Sequence, residues 1–164
     1  MKMTNTTEKL SFLGIGPKIA IFSLPLVAIA IIVSYLWPEW FMMSFIPRLV
    51  ELVTGWIVLA GGLAFYAVTV RGLLKGLREN RLITGGAYRL CQNPLYAAFI
   101  FFFIPAVALL TGSWLVLISD IAFYVAFKLY IRQEYEQLER LFGKEYLDYR
   151  RRTRELLPLP KRKK

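Results

Sequence analysis

Four long apolar stretches follow one another along the chain, with short polar segments between them. At about 1.5 Å per residue, each is long enough to cross most or all of a hydrocarbon layer about 30 Å thick. Proline occurs inside the first and third stretches, which membrane helices tolerate. The pattern predicts an all-α, polytopic membrane protein, and we place its four transmembrane helices at residues 19–37, 49–70, 95–111 and 114–130.

The segments that join these spans differ in character. Gly112-Ser113 is short and uncharged, so it predicts a tight turn that makes the third and fourth spans a helical hairpin. Residues 71–82 are basic and amphipathic, and we interpret them as a connector. Small residues recur in the second span, which allows another helix to approach closely and would permit a homo-oligomer. These small residues are Gly55, Ala60, Gly61, Gly62, Ala64 and Ala67.

Beyond residue 130 the pattern becomes that of an amphipathic helix outside the membrane core. Apolar side chains recur at three- and four-residue steps on an otherwise charged sequence, and Gly143 predicts a break or bend. We expect this helix to lie on the membrane surface or to fold back over the loop before the third span. The chain is thus predicted to be one integral membrane domain, 1–164, with a cytosolic C-terminal helix and basic tail at 131–164. The apolar stripe consists of Ile131, Tyr135, Leu138, Phe142, Tyr146 and Tyr149.

The distribution of charge predicts the orientation of the spans. Net charge is +10, yet 57% of residues are hydrophobic and the basic residues flank the apolar spans. We therefore predict contact with anionic lipid at the cytosolic face and no nucleic-acid partner. Apart from Arg48, every Lys and Arg falls in the N-terminus, between residues 71 and 92, or from Lys128 onward. Four spans put these regions on one side, so both termini are predicted to be cytosolic.

Missing residue types exclude several chemistries. The chain has no histidine, which rules out a histidine general base, a Ser-His-Asp triad, H-E-x-x-H zinc chemistry and haem with a histidine ligand. We predict no metal site. The single cysteine, Cys91, cannot form an intrachain disulfide, and we interpret it as a reduced thiol. Neither a Walker A motif nor a G-x-G-x-x-G motif occurs.

The polar stretch from Thr84 to Tyr96 resembles neither a helix nor a span. Gly85-Gly86 permits tight turning and close approach of a ligand. In Asn93-Pro94 the proline disfavours helical geometry at Asn93 and suits the first turn of the helix that follows. The stretch is therefore a loop that feeds into a membrane helix. From these residues alone, a ligand-binding loop and a plain connector are both open.

The ordered set of motifs after residue 70 resembles a known family. G-x-Y-x-x-x-x-N-P-x-Y spans Gly86–Tyr96, a helical hairpin follows, and then Glu134, L-x-x-x-F-G-x-E-Y-x-x-Y over 138–149, and Leu157-Pro158. This set resembles the isoprenylcysteine carboxyl methyltransferase and phospholipid methyltransferase superfamily of integral membrane enzymes. The resemblance covers roughly residues 70–160, while the first two spans are too generic to contribute.

The resemblance implies a membrane methyltransferase that uses S-adenosylmethionine on the cytosolic side, between the loop and the helix after the hairpin. It implies a lipophilic acceptor, such as an isoprenylcysteine carboxylate, a phospholipid amine or another small apolar molecule. We expect a prokaryotic cell membrane rather than the endoplasmic reticulum. Methyl transfer from a sulfonium needs alignment more than acid–base groups, so the absence of histidine is compatible with it.

The resemblance also selects candidate residues. Glu134 and Asn93 are the predicted catalytic residues: the carboxylate would lie near the cofactor's ammonium or sulfonium, and the amide would hydrogen-bond its amino-acid or adenine part. Arg89 would hold the cofactor's carboxylate, and Tyr88 and Tyr96 would stack on adenine or face the sulfonium. The predicted cofactor-binding residues are Gly86, Tyr88, Arg89, Asn93, Pro94, Tyr96, Glu134 and Tyr146.

Each candidate also has a plain interpretation. Without the family, Glu134 is a solvated helix carboxylate, the two tyrosines are interfacial aromatics, and Arg89 is a flanking positive charge. The family's R-H-P-x-Y loop reads Gln92-Asn93-Pro94-Leu95-Tyr96 here, and its Glu-Glu pair reads Glu134-Tyr135. These departures motivate one alternative, a non-catalytic membrane protein with a degenerate loop. A nicotinamide-dependent membrane reductase with a similar terminal hairpin is the other.

Asp120 is the one ionisable residue predicted deep inside a span. Because a carboxylate is costly there, we expect it to pair with Ser or Thr inside the bundle or to face a polar substrate group.

Overall fold

The computed structural model describes residues 16–157, and the predicted N-terminal flank, Pro158 and the end of the basic tail lie outside that range. The helices are α1 (Gly16–Leu36), α2 (Pro38–Phe41), α3 (Arg48–Glu79), α4 (Pro94–Ala98), α5 (Ile104–Thr111) and α6 (Trp114–Arg152). A π-helical segment, Phe99–Phe103, joins α4 to α5 into one rod, and a 3-10 turn covers Gly86–Arg89. No strand occurs within residues 16–157, so the all-α prediction is confirmed.

Four helices of the described chain are long and apolar enough to cross a membrane. They are Gly16–Leu36, Arg48–Glu79, Pro94–Thr111 and Trp114–Arg152. The protein is therefore an integral membrane protein with the predicted number of spans. Two of the rods extend well beyond their apolar parts, because α3 continues through residues 71–79 and α6 continues as the C-terminal amphipathic helix.

The extension of α3 has a packing reason. The segment taken from sequence as a connector is helical to Glu79, and Asn80 ends it in the left-handed conformation. Gly76 faces Ile83 of the returning chain so closely that a Cβ there would lie 2.1 Å from Ile83 Cγ1. A glycine in this place lets the chain turn back tightly against its own helix.

The rods pack as two pairs that share the core. α1 runs antiparallel to α6: Ser34 hydrogen-bonds Ser113 at one end of the pair, and Lys18 Nζ donates to Gln133 Oε1 over 2.8 Å at the other. α3 packs on α5, where a Cβ on Gly55 would lie 3.0 Å from Leu110. The predicted small-residue face thus serves packing inside one chain, and self-association stays a prediction.

We name the two ends of the bundle by their features. The hairpin side holds the turn at Gly112, and the loop side holds the 3-10 turn together with the polar halves of α3 and α6.

The carboxylate of Asp120 lies between the hairpin side and the loop side, and its buried Oδ1 makes no hydrogen bond within residues 16–157. The expected pairing of that oxygen with Ser or Thr is therefore not found.

α6 bends where the sequence predicted it. Gly143 has φ 50° and ψ −122°, which a residue with a Cβ adopts only with strain. The bend directs the last turns of α6 back toward the loop, so that Tyr149 donates a hydrogen bond to the carbonyl of Tyr88 over 2.7 Å. Of the two predicted placements, the described helix folds back over the loop.

On the hairpin side, Arg48 caps the end of α5. Its guanidinium donates to the carbonyls of Leu109 (3.2 Å) and Leu110 (2.6 Å), and it pairs with Glu51 at 2.8 Å. Gly112 makes the turn with φ 71°, and a Cβ there would lie 2.7 Å from Arg48 Nη1. A cation at a helix C-terminus satisfies carbonyls that have no partner in the helix. Arg48, the one basic residue outside the predicted cytosolic regions, therefore has a structural role as the cap of α5.

We predict that Arg48→Met lowers the free energy of unfolding by on the order of 2 kcal/mol, because it leaves the Glu51 carboxylate buried without its cation. Glu51 is 3% exposed, whereas Arg132 and its partner Glu136 are 86% and 53% exposed, so Arg132→Met is the matched control. Denaturation in detergent measures the free energy of unfolding of both variants. The double variant Arg48→Met/Glu51→Met should recover part of the loss. Equal stability of Arg48→Met and the control would contradict this account.

Candidate functional site

The loop between α3 and α4 is shaped by three local features. Gly86 opens the 3-10 turn with φ 61°, a left-handed value that favours glycine. Cys91 to Asn93 are then non-helical, and Asn93 stands before α4 with φ −124° and ψ 63°. Pro94 begins α4, where its missing N–H costs nothing. The sequence features that predicted a loop entering a membrane helix are those that build it.

A second segment, residues 153–157, holds this loop from the outside, and we call it the strap. The backbone N–H of Gln92 donates to the carbonyl of Arg154 over 2.8 Å, and that of Asn93 donates to the carbonyl of Glu155 over 3.1 Å. The side chain of Gln92 adds a bond to the carbonyl of Thr153 at 2.7 Å. The strap therefore pairs with the loop through a parallel β-bridge between Cys91 and Arg154, which lie more than 60 positions apart in the chain.

A small cavity of about 90 Å³ lies between the loop, the polar end of α3 and the outer half of α6; we call it the loop cavity. Tyr88, Asn93, Glu134 and Tyr146, four of the eight predicted cofactor-binding residues, line it. The hydroxyl of Tyr146 is buried and has no hydrogen-bond partner among the described residues. The cavity thus offers a carboxylate, an amide and phenol groups in one place.

The other predicted residues lie around the loop cavity rather than in its wall. Gly86 lines a separate groove beside the end of α3, and Arg89 is exposed. Pro94 is buried at the start of α4. Tyr96 is 9% exposed, and its hydroxyl donates to Glu134 Oε2 over 3.2 Å. Tyr96 is thus hydrogen-bonded to a candidate that lines the loop cavity.

On the membrane side of Tyr96 lies an apolar chamber of about 340 Å³, which we call the membrane chamber. It is enclosed by the loop-side ends of α1 and α3, by α4 and by α6, and its walls include Tyr66, Phe99 and Phe123. Leu73 lines both this chamber and the loop cavity. The hydrogen-bonded pair of Tyr96 and Glu134 therefore stands between the apolar membrane chamber and the loop cavity, whose wall includes a carboxylate, an amide and phenol groups.

Sequence reasoning missed a polar relay behind Asn93. Asn93 Nδ2 donates to the hydroxyl of Tyr135 over 2.6 Å, and that hydroxyl donates to Glu155 Oε1 over 3.1 Å. Lys128 pairs with the same carboxylate, and the guanidinium of Arg150 lies 4.9 Å from the centre of the Tyr135 ring. The position where the resembled family has a second carboxylate holds Tyr135 here, and the strap supplies the carboxylate that its hydroxyl contacts. The 20 residues between Tyr135 and Glu155 leave no local sequence signal for this contact.

Burial sets the protonation of the loop's titratable groups. Desolvation raises the pKa of Tyr88 well above its ordinary value, and the nearby carboxylate of Glu134 raises it further. Tyr88 is therefore a neutral phenol that can donate a hydrogen bond. Desolvation likewise raises the pKa of the fully buried Cys91 thiol to about 12. A thiol in that state is a poor nucleophile.

Comparison with known proteins bears on this arrangement. A family model described as phospholipid methyltransferase matches residues 50–145. The matched stretch includes α3 from residue 50 onward, the loop, the hairpin, Glu134 and Tyr135, and it stops before the strap. A comparison with curated proteins found no significant match.

We predict that Cys91 resists alkylation by N-ethylmaleimide at pH 8 in the folded protein, because its thiol is buried and almost entirely protonated there. It should react fully once the protein is unfolded in dodecyl sulfate, and mass spectrometry counts the adducts. An exposed thiol from Lys144→Cys in a Cys91→Ser background provides the control. Alkylation of Cys91 at the control's rate would show that the loop opens freely.

Proposed function

Because the chain belongs to the phospholipid methyltransferase family, we propose that it transfers the methyl group of S-adenosylmethionine to a lipophilic acceptor at the loop side. One observation carries the proposal: the Tyr96–Glu134 contact stands where the loop cavity, which holds the Glu134 carboxylate and the Asn93 amide, meets the apolar membrane chamber. An acceptor with an apolar body would enter the chamber and present its nucleophile at this boundary. Acceptors of that kind include a phospholipid amine, an isoprenylcysteine carboxylate and other small apolar molecules.

The residues of the loop cavity suit the proposed cofactor chemically. The Glu134 carboxylate complements a sulfonium or ammonium, and the Asn93 amide and the Tyr88 phenol can hydrogen-bond amino-acid or purine atoms. The unpartnered Tyr146 hydroxyl is a buried polar atom that a ligand would satisfy. A volume of about 90 Å³ is below the roughly 300–1,000 Å³ of most ligand sites, so binding requires the cavity to widen. We expect the wall formed by residues 81–83 to move outward while the strap stays docked on Gln92 and Asn93.

Catalysis in this proposal rests on positioning. When bound, the cofactor supplies an electrophilic methyl group, and transfer breaks its S–CH₃ bond as the acceptor's nucleophile forms the new one. The protein aligns the two partners at the boundary and keeps water away from them. A carboxylate or thiolate acceptor needs no base. An amine must first lose a proton, and Glu134 is the carboxylate at the boundary that can take it.

We further propose that the loop side faces the cytosol of a prokaryotic cell, with both termini on that side. On the hairpin side, the guanidinium of Arg48 is committed to Glu51 and to two carbonyls. Lys75, Arg78 and Arg81, by contrast, are exposed at the loop side. This asymmetry matches the rule that cytoplasmic segments are rich in Lys and Arg, and it favours anionic lipid at that face.

We predict micromolar binding of S-adenosylhomocysteine and S-adenosylmethionine to the detergent-purified protein, measured by calorimetric titration. Asn93→Ala and Glu134→Gln should each weaken binding at least tenfold, or about 1.4 kcal/mol, because each removes a polar partner from the loop cavity. Glu136→Gln is the control, since this carboxylate on the same helix is exposed and pairs with Arg132.

Absence of binding in protein that circular dichroism shows to be folded would overturn the proposal. Titration of reduced nicotinamide dinucleotide in the same experiment tests the reductase alternative. Binding of neither ligand would leave the non-catalytic interpretation.

We predict that Tyr135→Phe weakens S-adenosylhomocysteine binding about three- to tenfold, because Asn93 loses the hydroxyl that orients its amide. Calorimetry measures the effect, and Tyr35→Phe on the exposed hairpin-side end of α1 is the matched control. Unchanged affinity in Tyr135→Phe would show that the relay does not serve the cofactor.

A further inference from the structure

The largest of the cavities described here, about 760 Å³, plays no part in the proposed reaction. It lies at the loop side between the strap, α6 and the π-helical segment, and we call it the strap cavity. Ile100, Phe101 and Tyr124 of the membrane helices form its apolar wall, and Arg150 and Arg154 lie at its polar rim. Its volume falls within the roughly 300–1,000 Å³ typical of ligand sites.

The charges around the strap cavity favour an anion. Neither Arg150 nor Arg154 forms a salt bridge within residues 16–157. The carboxylate at the rim, Glu155, is already paired with Lys128 and hydrogen-bonded by Tyr135. Two guanidinium groups that form no salt bridge within residues 16–157 therefore lie beside an apolar wall at the loop side.

We propose that the strap cavity binds an anionic phospholipid. The phosphodiester would be held by Arg150 and Arg154, because guanidinium groups match phosphate oxygens in geometry and charge. The part of an acyl chain nearest the phosphodiester would lie along Phe101 and Tyr124, which are 38% and 42% exposed. A soluble anion would use only the polar half of this site, whereas a lipid uses both halves.

The strap connects the lipid site to the loop cavity. The strap residues Arg154 and Glu155 line the strap cavity, and their carbonyls accept the backbone N–H groups of Gln92 and Asn93. Gln92 and Tyr135 line both the strap cavity and the loop cavity. A ligand that favours the docked strap must therefore also favour the loop shape that the strap enforces. This linkage rests on the proposed function: the bound lipid raises the affinity of the loop cavity for the cofactor.

The lipid site is tested without the cofactor. Detergent-purified protein is titrated with phosphatidylglycerol or phosphatidylcholine of identical chains, and native mass spectrometry counts the lipids retained. We expect at least fivefold stronger retention of phosphatidylglycerol, and loss of that preference in Arg150→Gln/Arg154→Gln. Arg71→Gln/Arg78→Gln removes the same charge from exposed positions outside the strap cavity and should keep the preference.

Two further arms make the result specific. Arg150→Lys/Arg154→Lys retains the charge and should keep most of the preference, which separates charge recognition from misfolding. Inorganic phosphate is added at the same concentration, and thermal stabilisation is recorded. Equal stabilisation by phosphate and phosphatidylglycerol would overturn the lipid assignment, as would equal loss of preference in the two Arg→Gln pairs.

The linkage is tested by titrating S-adenosylhomocysteine with and without phosphatidylglycerol. We expect at least threefold tighter binding with the lipid in the wild type and no change in Arg150→Gln/Arg154→Gln. Selective lipid retention without any effect on the cofactor would overturn the linkage and uphold the site. If S-adenosylhomocysteine binds under no condition, the proposed function fails, and the retention experiment still decides whether the lipid site exists.

Discussion

The backbone pairing between the strap and the loop is the interaction on which the candidate site depends. Gln92 and Asn93 lie between the 3-10 turn and α4, so their N–H groups have no helical partner, and buried groups of that kind must be satisfied. The carbonyls of Arg154 and Glu155 satisfy them. With the loop fixed in this way, Asn93 faces both α6 and the strap, and Pro94 can begin a membrane helix directly after a polar turn.

The membrane explains why an apolar chamber lies beside a cavity that carries polar groups. Inside the bundle, backbone groups are paired within helices and the walls are apolar, as the membrane chamber shows. At the loop side the two longest helices, α3 and α6, continue into polar sequence, and α6 carries Glu134 and Tyr146 beyond the spans. Tyr96 lies in the first turn of a membrane helix and reaches Glu134 across the boundary. The geometry of the candidate site thus follows from where the apolar pattern ends.

Features with local causes could be predicted from the sequence. Hydropathy indicated the spans, Gly85-Gly86 and Asn93-Pro94 indicated the loop, and Gly143 indicated the bend in α6. The length of α3 could not be predicted from local sequence patterns, because it depends on Gly76 accommodating Ile83 of the returning chain.

The candidate site was only partly predictable. The motif pointed to Asn93 and Glu134, which line one cavity, and also to Arg89, which is exposed outside it. The strap, Glu155 and the relay through Tyr135 were missed because they join residues that are 20 to 62 positions apart. Contacts of that kind depend on the bend at Gly143, which a single sequence can suggest but whose direction it does not specify.

Hydrogen–deuterium exchange with and without S-adenosylhomocysteine tests the central claim most directly, since it reports on the backbone groups that join loop and strap. The account predicts slower exchange on ligand binding in peptides covering 86–93 and 146–157, with no change on the hairpin side around residues 109–115. Protection confined to other regions, or unchanged exchange at Gln92 and Asn93 under saturating ligand, would contradict it.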